Sequence, residues 1–307
     1  MPNKRRGSRA QGFSLVEMAL VLLIVGVIMI FTLPVSNMIA SNQRRAATLQ
    51  NLKNIQSALN NYVTLNKRLP CPADGTATPG TTPPWGTEAP IGGGTCTGNQ
   101  ANGVVPWVTL GLSPADARDA WFNQITYRVG WGLTRSNALN MSSCDPAGMK
   151  AATPGWPDMV TGGLCDQTSC TGTFAAANCT SPTSFLANKG LNVFSDATTQ
   201  VMNYANYTGA AYILISHGDN GYGAISGAGS YVAAAANGVK GTLEDANRNL
   251  PTLVVTNGVP PQFIDATMSD APDNSTGTPP NYYFDDIIIR PSLLSVINQA
   301  QLGPRSH

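Results

Sequence analysis

Residues 13–33 read FSLVEMALVLLIVGVIMIFTL, a run of 21 residues in which Glu17 is the only charge. As a helix rising 1.5 Å per residue, such a run extends about 31 Å, the thickness of a bilayer's hydrocarbon core. The run therefore predicts a membrane-spanning helix over 13–33. Lys4, Arg5, Arg6 and Arg9 precede it, and the positive-inside rule keeps them cytoplasmic and sends everything after Pro34 to the outer side. A secretory signal matches poorly, because its apolar core is about 7–15 residues and ends in a small-x-small cleavage site. Here the run is longer and ends Thr32-Leu33-Pro34. A plain signal anchor accounts for the span but leaves Glu17 without a reason, since an ionisable group at that depth is costly unless it has a partner.

Working outward, an apolar pattern continues through Val35, Met38, Ile39, Ala46, Leu49, Leu52, Ile55, Leu59 and Tyr62, with Asn42, Gln43, Arg44, Arg45, Gln50, Asn51, Lys53 and Asn54 opposite. One helix is expected from residue 13 to about 66, with the outer half, 34–67, laying its apolar stripe on a globular domain. Pro34 removes a backbone donor and clashes with the preceding turn, so it reads equally as a kink or as the end of the membrane segment. The prolines of Leu69-Pro70-Cys71-Pro72 stop the helix.

Composition agrees with an exported, loop-rich chain. Charged residues make up 11% of the 307, against 31 Gly and 22 Pro. Four of the 18 Lys and Arg lie in the first twelve residues with no acid among them, so the rest carries 14 cations against 17 acids. Neither balance is the electrostatic footprint of a nucleic-acid binder. All six cysteines, Cys71, Cys96, Cys144, Cys165, Cys170 and Cys179, follow the apolar run, and an even number on one side of a membrane suits disulfides in an oxidising compartment. Structural zinc on cysteines needs short Cys-x-x-Cys spacings, which the chain lacks.

Gly12-Phe13-Ser14-Leu15-Val16-Glu17 resembles the cleavage and methylation motif of type IV prepilins and type II secretion pseudopilins, and Gly26 and Pro34 fall where many of that family carry glycine and proline. The resemblance implies that a prepilin peptidase removes the leader, 1–12, by cutting after Gly12 and then methylates the new amino terminus at Phe13. Glu17, one helical turn away, can then face the positive amino group of a neighbouring subunit's Phe13, since neither charge is stable alone in an apolar core. Other pilin or pseudopilin subunits, the peptidase and an inner-membrane assembly platform are the implied partners. The implied localisation is a single pass of the inner membrane with a periplasmic body, followed by the pilus or pseudopilus.

Beyond the helix, residues 68–307 are expected to form the globular α+β domain. It contains loop insertions at about 73–106 and 137–190. Cys71 and Cys96 lie at the two ends of the first, and a bridge between them would restrain it, although six cysteines allow 15 pairings. Cys144 to Cys165 and Cys170 to Cys179 would staple the second. Ser113-Pro114-Ala115-Asp116 has the form of a helix start, leading to a short helix ending near Trp121. Strands are expected over 124–129, 211–216, 253–256 and 285–290, followed by a short helix over 291–301. Asp119-Ala120-Trp121-Phe122-Asn123 resembles the Asp-x-Trp-Gly-Asn segment that enters a strand in secretion pseudopilins, with Phe122 in place of the glycine.

Two stretches invite a chemical reading. Ser216-His217-Gly218-Asp219 holds the residue types of a hydrolytic triad, but adjacent strand residues point to opposite faces, so Ser216 and His217 are not expected to meet. The bland reading is a strand leaving the core through a Gly/Asn/Asp turn. In pseudopilins similar to this segment, a comparable loop and a later Asp-rich strand enclose calcium, which implies Asp219, Asp285 and Asp286 as oxygen ligands. Glu244-Asp245-Ala246-Asn247 is a second acidic loop. No cofactor is required by the structural role.

The expected fold is α+β and pilin-like: a long N-terminal membrane-spanning helix packed on an antiparallel β-sheet, with a disulfide-bearing loop insertion. The expected function is a structural minor pilin or pseudopilin, not an enzyme. A membrane-anchored periplasmic enzyme, or an adhesive or carbohydrate-binding tip protein on a pilin-like anchor displaying exposed tryptophans among Trp85, Trp107, Trp131 and Trp156, is the alternative.

Overall fold

The computed structural model describes residues 14–81, 84–94, 96, 103–130, 132–142, 185–236, 238–249, 262–274 and 282–304, with the side chains of 28–37 excepted. Gly12, Phe13, the side chain of Pro34, Cys144, Cys165, Cys170, Cys179, Trp131, Trp156 and the strand expected at 253–256 lie outside the described residues. The chain divides into two compact units, 1–44 and 45–307.

Helix α1, Leu15–Asn66, is unbroken over 52 residues. Ser14 and Glu17 start it as a capping box: the Glu17 carboxylate accepts from the Ser14 N–H at 2.9 Å, and the Ser14 hydroxyl accepts from Val16 N–H at 3.3 Å. Lys67 ends it in the left-handed region (φ 55°), its N–H donating to the Val63 carbonyl. The membrane reading of this helix is corrected: among the described residues, no helix is long and apolar enough to cross a membrane. The membrane-spanning element of the fold class and the single-pass inner-membrane localisation are withdrawn with it.

In the second unit the strands are β1 Ala73–Asp74, β2 Gly103–Val104, β3 Asn123–Gln124, β4 Thr126–Val129, β5 Asn192–Phe194, β6 Gln200–Met202, β7 Tyr212–Ser216, β8 Ile225–Ser226, β9 Gln262–Ile264 and β10 Ile287–Ile289. A five-stranded antiparallel sheet has the order β1-β2-β4-β7-β10. A smaller sheet, β6-β5-β9, contains one parallel pair, β5 with β9, and β3 pairs with β8.

Alternation along β7 divides the core. Tyr212 and Leu214 join the cluster that contains Leu52, Ile55, Leu59 and Val63 of α1, all at 0% exposure, while Ile213 and Ile215 join Val193, Met202 and Phe263 of the smaller sheet. Each α1 side chain so buried contributes roughly 1.5–3 kcal/mol. Thr48 continues the buried stripe, whereas Met38, Ile39 and Leu49 of the expected stripe are exposed. Helix α2, Leu293–Gln299, begins at Ser292, whose hydroxyl accepts from Ser295 N–H, and buries Leu293, Val296 and Ile297 in the first cluster.

The first loop insertion is restrained as expected by a Cys71–Cys96 disulfide, Cα–Cα 5.6 Å. It is held further by a buried Arg68–Glu88 pair with contacts at 2.9 and 2.8 Å. Trp85 and Trp107 meet edge to face at 5.0 Å against the first core cluster, Trp107 at 3% exposure and Trp85 partly buried. The helix expected from Ser113 is corrected to a single turn: Ser113 and Asp116 hydrogen-bond each other reciprocally, but the chain then closes on Asp119. Asp119 accepts from the N–H groups of Trp121 and Asn123, and Phe122 takes φ 68°, which ends the turn immediately before β3.

Candidate functional site

On the face of the large sheet away from α1, the side chains of Thr126, Arg128 and His217 follow the same alternation as Ile213 and Ile215. All three are at most 1% exposed. Ser216 points the other way, and its hydroxyl donates to Asp119 Oδ2 at 2.8 Å. Burial raises the Asp119 carboxyl above its ordinary range, against the hydrogen bonds it receives. Ser216 and His217 therefore belong to separate networks, as strand geometry requires.

His217 instead lies between Thr126, whose Oγ1 is 3.0 Å from Nε2, and Asp286, whose Oδ1 is 3.5 Å from Nδ1. This acid–imidazole–hydroxyl order is the order of a nucleophilic triad. Thr126 and His217 are both fully buried, however, so a substrate does not reach the hydroxyl. Asn249 tightens the group by donating to Thr126 Oγ1 at 2.7 Å and accepting from Arg128 at 2.7 Å. Burial pushes the Arg128 guanidinium down to about 9.

Next to His217 three carboxyl groups converge. Asp285 and Asp286 come from the segment entering β10, and Glu244 from a single 3₁₀ turn, Glu244–Ala246. Their ligating oxygens lie within 4.8 Å of one another, and all three residues are buried. The turn after β7 is pressed against them: Gly218 has φ +56°, and a Cβ there would stand 2.5 Å from the Asp285 carbonyl oxygen. A Cβ on Gly241 would strike the carbonyl of Tyr283, so a side chain is excluded at both positions.

Hydrogen bonds account for four of these six oxygens. Glu244 accepts from the N–H of Asp285 (3.0 Å), the N–H of Gly241 (2.9 Å) and the Asn220 amide (2.9 Å). Asp285 Oδ2 accepts from Asn220 N–H and the Tyr283 hydroxyl, and Asp286 Oδ2 from the Asn247 amide. Asp285 Oδ1, Asp286 Oδ1 and His217 Nδ1 are buried with no hydrogen-bond partner. Burial, then the charge of Asp286 and the contact with Asp285, push Glu244 up from 4.5 to about 8.

The calcium set Asp219, Asp285 and Asp286 is not assembled. Asp219 is exposed and accepts from the Trp121 indole N–H at 2.8 Å, in place of turning toward the other two. Calcium asks for six to eight oxygen ligands, several of them carbonyls or waters, whereas the free donors here are carboxylate oxygens and one imidazole nitrogen. Asp285 and Asp286 do belong together, with Glu244, and His217 Nδ1 stands beside Asp286 alone. The Glu244–Asn247 spacing on one turn was the available sequence signal for that loop, because Asn247 at i+3 is what grips Asp286.

Searches against family models, curated proteins and solved structures find no match to this chain.

Proposed function

We propose that this chain is a structural subunit of a filament of the type IV pilus or type II secretion pseudopilus class, assembled through its N-terminal helix. The observation that carries the reading is the contrast along α1. Side chains 52–63 of its buried stripe are fully covered within the second unit, while Leu15, Val16, Leu22 and Leu23 are 88%, 74%, 66% and 66% exposed. An apolar helical surface of that extent is a surface for partners. Copies of the same helix are partners of matching chemistry, and the Gly12-Phe13 motif gives a prepilin peptidase its substrate. An assembly platform completes the set of partners.

Glu17 holds two separable roles in this reading. Its carboxylate caps the helix through Ser14, and in a filament its charge meets the amino group of a neighbour's Phe13. Glutamine keeps the capping box but not the charge. Mass spectrometry of the chain co-produced with a prepilin peptidase is expected to show an N-terminus at Phe13, and an intact Met1 would sink the assignment. Glu17→Gln should be cleaved normally and keep its helix yet drop out of sheared filaments at least about tenfold, the cost of one unmatched buried charge being several kcal/mol. Wild-type incorporation of Glu17→Gln would remove the charge pair.

A further inference from the structure

We propose that Glu244, Asp285 and Asp286, with the His217 imidazole beside Asp286, form a buried binding site for a divalent first-row transition metal ion of the zinc or manganese type. The site is independent of filament assembly.

Two observations of different kind support it. The first is the convergence of three buried carboxylates, whose ligand atoms lie within 4.8 Å of one another. Gathering such charges without a compensating cation is strongly unfavourable, and a single ion would neutralise them. The second is the imidazole: His217 is 0% exposed and its Nδ1 has no hydrogen-bond partner. Nδ1 stands 3.5 Å from Asp286 Oδ1, which is itself without a hydrogen bond. That is too long for a hydrogen bond but close to the roughly 3.4 Å between two ligands that each sit about 2.1 Å from a tetrahedral zinc.

The surroundings suit ligation. Nε2–H can donate to Thr126 Oγ1 at 3.0 Å, which leaves the Nδ1 lone pair for the metal. The Asn247 amide holds Asp286 by Oδ2, and Asn220 N–H with the Tyr283 hydroxyl holds Asp285 by Oδ2, so in both the other oxygen remains to bind. Imidazole with carboxylates is a donor set for zinc or manganese, not for calcium. The ion would join the junction of three elements distant in sequence: the end of β7, the 3₁₀ turn at Glu244 and the start of β10.

The test uses the full chain produced in medium supplied with zinc, dialysed without chelator, and assayed for metal per chain. One equivalent of zinc is expected, retained against millimolar calcium. The chain has two histidines, so ¹⁵N-histidine NMR reports on His217 and the tail residue His307 alone. Zinc should shift the Nδ1 resonance of His217, and His217→Gln should lower zinc affinity at least about tenfold. Zinc absent after dialysis, displaced by calcium, or bound without a change in the His217 resonance would overturn the site. The wild-type measurements decide the matter even if His217→Gln does not fold.

Discussion

Replacing Glu88 by glutamine isolates one charge in the buried junction that ends α1. Glu88 is 4% exposed and Arg68 7%. The carboxylate takes both guanidinium contacts, at 2.9 and 2.8 Å, and also accepts from the N–H groups of Cys71 and Gly92, each at 3.0 Å. Glutamine keeps the volume but leaves the Arg68 charge uncompensated, and one amide oxygen cannot serve all these donors. Breaking a buried pair in this way costs about 3–5 kcal/mol, whereas replacing both partners by apolar side chains of similar size costs much less. Urea denaturation of the oxidised chain should therefore show Glu88→Gln destabilised by about 3–5 kcal/mol, and the Arg68→Met/Glu88→Leu pair by clearly less than the sum of its single changes. The pH dependence carries the same signature. Burial by itself would raise the Glu88 carboxyl, but Arg68 and the N–H groups of Cys71 and Gly92 outweigh it and hold it below 4.5. Ionised Glu88 is thus favoured by folding: its contribution is complete above about pH 4.5 and is lost as the pH falls through the lower folded value. Glu88→Gln should lack this acid limb. A loss under about 1 kcal/mol, or additive single changes, would refute the account of the junction.

The Cys71–Cys96 bridge closes a separation of 25 residues, which by loop entropy is worth about 3.5 kcal/mol, so selective reduction should lower the denaturation midpoint accordingly. No change in midpoint would mean that Arg68–Glu88 alone restrains the loop. Phe122 is 76% exposed with φ 68°, a conformation costing a non-glycine residue about 1–2 kcal/mol. Phe122→Gly should therefore raise stability by roughly 0.5–1 kcal/mol, after glycine's own entropic cost, and Phe122→Val should lower it. A destabilised glycine variant would show that the exposed ring makes a contact that outweighs the strain.

How much was legible can be followed residue by residue. The end of α1 was written locally, in the prolines at 70 and 72, because breakers act within one helical turn, whereas the capping box of Ser14 and Glu17 came to light only in the structure. The central strands at 126–129, 212–216 and 287–289 were legible for a similar reason, since apolar β-branched runs bounded by turn residues define a strand wherever it lies. Pairing was not legible in that way. The parallel contact of β5 with β9 joins segments about 70 residues apart, and no local pattern marks it.

The site divides along the same line. Asp285 and Asp286 were visible as adjacent acids, but Asp219 was assigned to them on loop similarity, and tertiary structure turned it to Trp121 instead. Glu244 and His217 took the vacant roles because β7 and β10 pair antiparallel with Ser216 opposite Ile287, which brings the ends of both strands to one point, where the turn bearing Glu244 meets them. The apolar run of 13–33 shows the converse limit: composition marked it as a surface that leaves water, but it was read as a membrane span because composition does not say what covers such a surface. What the sequence determined by itself were the helix breakers and the alternation of the strands, each a property of a few neighbouring residues. Which acid faces which, and that an imidazole stands among them, was decided only by the fold, because convergence of distant residues is a property of pairing and register and not of any single segment.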